Sequence, residues 1–242
     1  MNIVIPMAGR GSRFADAGYT TPKPLIPVLG KPMIQWVIEN IKTDLKHQFI
    51  FICQEAHIRD YDLDSQIRKI CHKSRIISVK DVTDGALRTV LCAKDYINND
   101  SPLTIANCDQ FVDINFDHYL KFSTENTFDG VIMTMPASDP KWSYVRKGKN
   151  GYIDLVVEKQ VISSEATTGI YNFRTGRDFI SAAEEIISRN CMVNNEFYVA
   201  PVFNILIERG GVVASYNIGE KMHGLGTPHD LQLFEATYRN AK

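Results

Sequence analysis

Met1-Asn2-Ile3-Val4-Ile5-Pro6-Met7-Ala8-Gly9-Arg10-Gly11-Ser12-Arg13-Phe14 opens the chain, and Thr21-Pro22-Lys23-Pro24-Leu25-Ile26-Pro27 follows after a short gap. Ile3, Val4 and Ile5 form an apolar run that stops at a Gly-rich turn, the pattern of a buried strand emptying into a loop. Gly9 and Gly11 carry no Cβ, so the chain can pass through positive φ there and bring backbone N–H groups close to an anion. Arg13 and Lys23 add a fixed and a mobile positive charge beside those amides. Residues 1–34 hold Arg10, Arg13, Lys23 and Lys31 against a single acid, Asp16, a local charge of +3 in a chain whose formal net charge is −1. Strand, amide-rich loop and flanking cations together suit a polyphosphate. The spacing is not that of a P-loop, which needs Lys and then Ser or Thr after its last Gly, nor that of a dinucleotide fingerprint, which needs a third Gly.

The rest of the composition bounds the answer. A chain of 242 residues can bury most of its apolar surface as one large α/β domain. No linker, repeat or low-complexity stretch divides it, so a single domain over 1–242 is expected, with halves at about 1–112 and 113–242. A charge near zero gives no electrostatic case for nucleic acid or a membrane surface as partner. No apolar run is long enough to cross a bilayer and no signal peptide precedes the first strand, so a cytoplasmic protein is expected. The five cysteines, Cys53, Cys71, Cys92, Cys108 and Cys191, show no C-x-x-C spacing and read as reduced, mostly buried thiols. A homo-oligomer is compatible with all of this.

Taken in order, strand and helix signals alternate. Residues 32–41 place Ile34, Val37, Ile38 and Ile41 on one helical face behind a first-turn proline. Phe49-Ile50-Phe51-Ile52-Cys53 is a continuous apolar run, as expected of a parallel strand covered on both faces. A helix over 61–70, a strand over 75–79, a helix over 87–96 and a strand over 103–106 follow. Such units predict a parallel sheet with helices on both sides. Ligands of such sheets bind beyond the carboxyl ends of the strands. The first loop, Asp84-Gly85-Ala86 and Asn107-Cys108-Asp109 would then open onto one edge, where Asp109 offers a hard carboxylate for Mg²⁺. The second half is less regular: a strand over 130–135, a hairpin signalled by Lys149-Asn150-Gly151, a strand over 168–173 and a helix over 177–189.

Several of these stretches resemble the sugar-phosphate nucleotidyltransferases, or nucleotide-sugar pyrophosphorylases. Gly9-Arg10-Gly11-Ser12-Arg13 and Pro22-Lys23-Pro24-Leu25 are similar to that family's Gly-x-Gly-Ser/Thr-Arg and Pro-Lys-Pro signature, and Gly30-Lys31-Pro32-Met33-Ile34 continues it. The resemblance implies a three-layer α/β/α sandwich, Rossmann-like, with a mostly parallel mixed sheet of the nucleotide-diphospho-sugar transferase type. It implies nucleotide contacts from Met7, Ala8, Gly9, Arg10, Gly11, Ser12, Arg13, Lys23, Asp84, Gly85, Ala86 and Asn107. Asp109 is implied as the metal ligand, with Cys108 standing where Gly is usual. Glu158-Lys159 resembles a Glu-Lys-Pro motif, with Gln160 in place of Pro, and Gly169-Ile170-Tyr171 a Gly-Ile-Tyr strand. These imply that Glu158, Lys159, Gly169 and Glu196 contact the acceptor, although Glu196 could equally cap a helix. Gly224-Leu225-Gly226-Thr227-Pro228 resembles Asp-x-Gly-Thr-Pro, but Gly224 replaces the acid that would be a second metal ligand, leaving His223 or Asp230 as substitutes.

The length matches short bacterial members associated with capsule and surface-polysaccharide synthesis. The activity implied is transfer of a nucleoside monophosphate from a nucleoside triphosphate to a sugar 1-phosphate or other small phosphomonoester, with Mg²⁺ as cofactor and pyrophosphate released. Arg13, Lys23 and Asp109 are the expected catalytic residues: Arg13 with the loop amides on the β- and γ-phosphates, Lys23 on the α-phosphate, Asp109 on the metal. A glycosyltransferase of similar fold is the rival reading. It usually carries Asp-x-Asp after a strand, where this chain has Asn107-Cys108-Asp109. A non-catalytic nucleotide sensor would need the loop but not Lys23 and Asp109 together.

Overall fold

Strand β1 (Asn2–Met7) lies inside a nine-stranded sheet because its apolar run can be covered on both faces. The computed structural model describes residues 1–239. After β1 come α1 (Ser12–Ala15), a 3-10 turn at Lys23–Leu25, β2 (Pro27–Val28), β3 (Lys31–Pro32) and α2 (Met33–Asn40). Next are β4 (Gln48–Gln54), α3 (Glu55–Tyr61), α4 (Leu63–Ile70), β5 (Arg75–Val79), α5 (Ala86–Leu91), α6 (Lys94–Ile97), β6 (Leu103–Ala106), β7 (Gln110–Val112) and α7 (Phe116–Glu125). The second half supplies β8 (Gly130–Pro136), β9 (Ser143–Lys147), β10 (Ile153–Glu158), β11 (Glu165–Phe173), α8 (Gly176–Ser188), α9 (Val202–Glu208), β12 (Val213–Asn217), β13 (Met222–Gly224) and α10 (Pro228–Arg239).

The sheet runs β10-β9-β11-β6-β1-β4-β5, with β8 paired to β11 and β12 to β8. Pairings β1·β4, β1·β6, β4·β5 and β8·β12 are parallel, whereas β11 is antiparallel to β6, β8 and β9, and β10 to β9. This is the expected mixed sheet, with β10 and β11 opposed to the other seven strands. Alternation along the strands sorts side chains into two cores. Val4, Ile50, Ile52 and Ile105 join Leu87 and Val90 of α5, Phe179 of α8 and Phe203 of α9 on one face. Ile3, Ile5, Phe49 and Phe51 join Ile34 and Val37 of α2, Leu63 and Ile67 of α4 and Tyr119 of α7 on the other. Each fully buried side chain of this size contributes roughly 2 kcal/mol, so a one-residue slip of a central strand would forfeit several such terms. The result is the three-layer α/β/α sandwich.

Three local expectations are corrected. Helix 61–70 begins later, because α3 ends at Tyr61 and Asp62 turns through φ 52 before α4 starts. Helix 87–96 is two pieces, α5 and α6, separated at Cys92 and Ala93. The cysteines are not mostly buried: Cys53 and Cys108 are, Cys71 is half-buried, and Cys92 and Cys191 are exposed. Only the first two lie on or just beyond central strands, where both faces are covered.

Candidate active site

The carboxyl ends of β1, β5 and β6 open onto a cavity of about 670 Å³, lined by 6–12, Lys23, 82–86 and 107–109. Its first wall is the loop after β1. Gly11 adopts φ 62 and starts α1, while Gln54 at the end of β4 donates from Nε2 to the carbonyls of Ala8 (3.1 Å) and Gly9 (2.8 Å). Gln54 thus restrains the loop's acceptors, a role that no sequence motif announces. Lys23 stands in a turn held between Pro22 and Pro24, where Leu25 N–H donates to the Pro22 carbonyl at 2.8 Å. Its Nζ reaches across to Asp109 Oδ2 at 2.5 Å, with both side chains about four-fifths covered. Burial alone would lower the Lys23 pKa, but the Asp109 charge and hydrogen bond hold it above the ordinary lysine value. Cys108 is pushed up to about 11, chiefly by burial, so it enters the site as a neutral thiol.

The second wall is the turn at 84–86. Gly85 has φ 112, and a Cβ there would fall 2.5 Å from Phe197 N. Asp84 is not a helix cap: the first residue outside α5 is Gly85, and Asp84 pairs with Arg88 at 2.9 Å. Phe197 N–H donates to the Asp84 carbonyl at 2.8 Å and its own carbonyl accepts from Leu87 N–H at 3.0 Å.

A second cavity, about 510 Å³, adjoins the first and shares Ala86, Asn107, Asp109, Glu196 and Tyr198 with it. Arg13 lines this second cavity, whereas Arg10 lines the first. Glu158, Lys159, Gly169 and Glu196 are all brought to it. Glu158 is nearly buried and accepts from Ser143 Oγ. Burial raises its pKa against the opposing pull of Ser143 and Lys159. Gly169 sits at φ 86 in an irregular stretch of β11, and its carbonyl accepts from Asn107 N–H at 3.1 Å. Any Cβ there would collide with the side chains of Asn107 and Gln110. Lys159 Nζ donates to Tyr198 Oη, which donates to Glu196 Oε2 at 2.5 Å. Glu196 therefore lines the cavity while accepting from Tyr198, and caps no helix.

Two further residues were missed in the sequence. Gln110, buried on β7, lines the second cavity with its Nε2 lacking a hydrogen-bond partner. Tyr198 lines both cavities. Neither position carries a motif, because pairing of β7 with β13 and the path of 193–198 decide where they point.

A family model described as nucleotidyl transferase matches residues 3–193. The chain belongs to the nucleotidyl transferase family. It is 26% identical over 178 residues to the mannose-1-phosphate guanylyltransferase catalytic subunit beta of Danio rerio, covering 72% of this chain and 49% of that protein. It is 26% identical over 244 residues to the bifunctional protein GlmU of Listeria innocua, covering 97% and 50%. The chain thus spans about half the length of these curated relatives. The crystal structure of a nucleoside-diphosphate-sugar pyrophosphorylase from Vibrio cholerae RC9 superposes with a TM-score of 0.82 at 24% identity, over 97% of this chain and 99% of that one.

The motif at 224–228 has a specific geometry. Leu225 N–H donates to the Asp109 carbonyl at 2.8 Å, and a Cβ at Gly226 would fall 2.8 Å from Asp109 Oδ2. At Gly224 a Cβ would lie 3.3 Å from Asp230 Cγ, so the Asp230 carboxyl group fills the space beside the missing acid. Asp109 and Asp230 line the same cavity. His223 does not substitute: its ring lies among Phe111, Phe234 and Tyr238, at 6.1, 5.9 and 5.4 Å between centroids. Among the described residues no three His, Cys, Asp or Glu side chains form a metal cage. Mg²⁺ usually takes one or two carboxylates with waters and phosphate oxygens, so the donor set fits that ion when a phosphate shares it.

Proposed function

We propose that this nucleotidyl transferase moves a nucleoside monophosphate from a nucleoside triphosphate to a sugar 1-phosphate or another small phosphomonoester, releasing pyrophosphate. The observation that carries the reading is the meeting of two cavities at Asp109, one walled by the amide loop and Lys23, the other by Glu158, Lys159 and Arg13. An oxygen of the acceptor phosphate attacks the α-phosphorus in line. The bond from that phosphorus to the bridging oxygen breaks, and pyrophosphate departs with its electrons. Transfers of this kind need positioning and charge stabilisation rather than an enzyme nucleophile.

Lys23 is placed to neutralise charge growing on the α-phosphate, and Lys159 to hold the acceptor phosphate. Arg13, which lines the second cavity together with Asp109 and Tyr198, would add its charge where the two phosphates meet. Asp109, with Asp230, would hold Mg²⁺, which supplies positive charge to the phosphate oxygens. A role in capsule or surface-polysaccharide precursor synthesis in the cytoplasm belongs to this proposal. No helix among the described residues is long and apolar enough to cross a membrane.

The test is pyrophosphate release with Mg²⁺ or EDTA, screening CTP, UTP, GTP, ATP and dTTP against sugar 1-phosphates and phosphocholine. Release that requires one triphosphate, one acceptor and the metal is expected. Silence across the panel, with sugar transfer from a finished nucleotide sugar, would replace this reading by a glycosyltransferase.

A further inference from the structure

Glu196, Phe197 and Tyr198 form the ridge between the two cavities, and its two sides are tied to different half-sites. On the nucleotide side, Phe197 is 2% exposed and its main chain bonds both Asp84 and Leu87, closing around Gly85. On the acceptor side, the Tyr198 hydroxyl stands between the Lys159 ammonium and the Glu196 carboxylate, with Lys159 Nζ 4.7 Å from the ring centroid. Lys159 itself sits at φ 54, left-handed backbone that a lysine adopts only at a cost of about 1 kcal/mol. A four-carbon stem on such a residue has many rotamers, and an unheld ammonium would spread over them. The Tyr198 hydroxyl and ring are the contacts that select one.

We propose that Tyr198 is a positioning residue that holds Lys159 on the acceptor phosphate and, through Phe197, ties that placement to the 84–86 turn lining the nucleotide cavity. The inference rests on the nucleotidyl transfer reading above. A nucleotide that orders 84–87 then favours the ridge setting in which Lys159 is aimed, so each substrate strengthens binding of the other by the same factor.

Calorimetric titration tests this with glucose 1-phosphate, mannose 1-phosphate and phosphocholine, each with and without non-reacting α,β-methylene analogues of the screened triphosphates, alongside steady-state pyrophosphate release. Tyr198→Phe removes one oxygen from a half-buried ring, and thermal unfolding checks that the fold is kept. In the variant, acceptor Kd and KM should rise about tenfold, the loss of a hydrogen bond to a charged group, while the Kd of the triphosphate analogue measured without acceptor stays unchanged. The gain in acceptor affinity produced by the analogue should disappear. In a Lys159→Ala background, Tyr198→Phe should add nothing further, because its effect passes through Lys159. An unchanged acceptor constant, or additive effects of the two substitutions, overturns the positioning role while leaving nucleotidyl transfer intact. A wild-type protein that releases no pyrophosphate with any pair removes the underlying reading and this inference together.

Discussion

The two cavities are built from different materials. The nucleotide side is mainly backbone: the loop after β1, the turn at Gly85 and the carbonyls restrained by Gln54, with Lys23 as its one deeply placed cation. The acceptor side is mainly side chains, including a buried carboxylate at Glu158, the Lys159–Tyr198–Glu196 chain and an unpartnered amide at Gln110. Backbone binds phosphate whatever side chains surround it, provided nothing blocks approach. Side chains read a particular acceptor and carry the desolvation cost of doing so. Substitutions should therefore act in opposite senses in the two places.

The largest effect should come from Lys23→Met. Losing one preorganised charge at the junction should lower kcat by about a hundredfold, ~3 kcal/mol of barrier, with the fold retained. Stopped-flow or coupled pyrophosphate assays read this, and a near-normal kcat would remove the role. Next is Gly85→Ala, a change of one methyl group on the backbone-built side. Left-handed strain and overlap with the Phe197 main chain should cost about 3 kcal/mol of stability and raise the triphosphate KM, measured by denaturant melts and kinetics. A tolerated alanine would show that this wall yields.

The smallest effect tests the acceptor side. Burial holds the Glu158 carboxyl above its ordinary pKa, so the folded state binds that proton more tightly than the unfolded chain. Its contribution to stability is full below the unfolded carboxylate pKa and is lost as pH rises through the folded one. Glu158→Gln should then raise Tm at pH 7 and change it little at pH 4, while weakening acceptor binding. Calorimetry at both pH values decides, and a lower Tm at pH 7 would mean that the Ser143 and Lys159 contacts outweigh the desolvation.

Legibility followed the same division. Ile3 to Ile5 and Phe49 to Cys53 announced central strands because continuous apolar runs have few other places to go. Glycines flanked by cations marked the loop after β1 as a candidate phosphate site because only a bare backbone can approach an anion that closely. The opposed direction of β11 was not legible, since it depends on pairing with β6, and nothing in the residue types around Asp62 announced its turn through φ 52. His223 was in sequence one of two possible substitutes for the missing acid and is an aromatic-cluster residue in space. Gly224 looked like a lost carboxylate, and Asp230 from the next helix fills the neighbouring volume.

By itself, then, the sequence determined the α/β class and singled out the first loop, Lys23 and Asp109 as candidates, because each is a local pattern whose chemistry follows from residue type and short spacing. The tertiary structure alone decided that Asp109 faces Lys23, that Arg13 belongs to the second cavity, and that Tyr198 bridges Lys159 and Glu196. The Lys23–Asp109 and Lys159–Tyr198 contacts join residues 86 and 39 positions apart, so distant segments must be docked before either has a place to form.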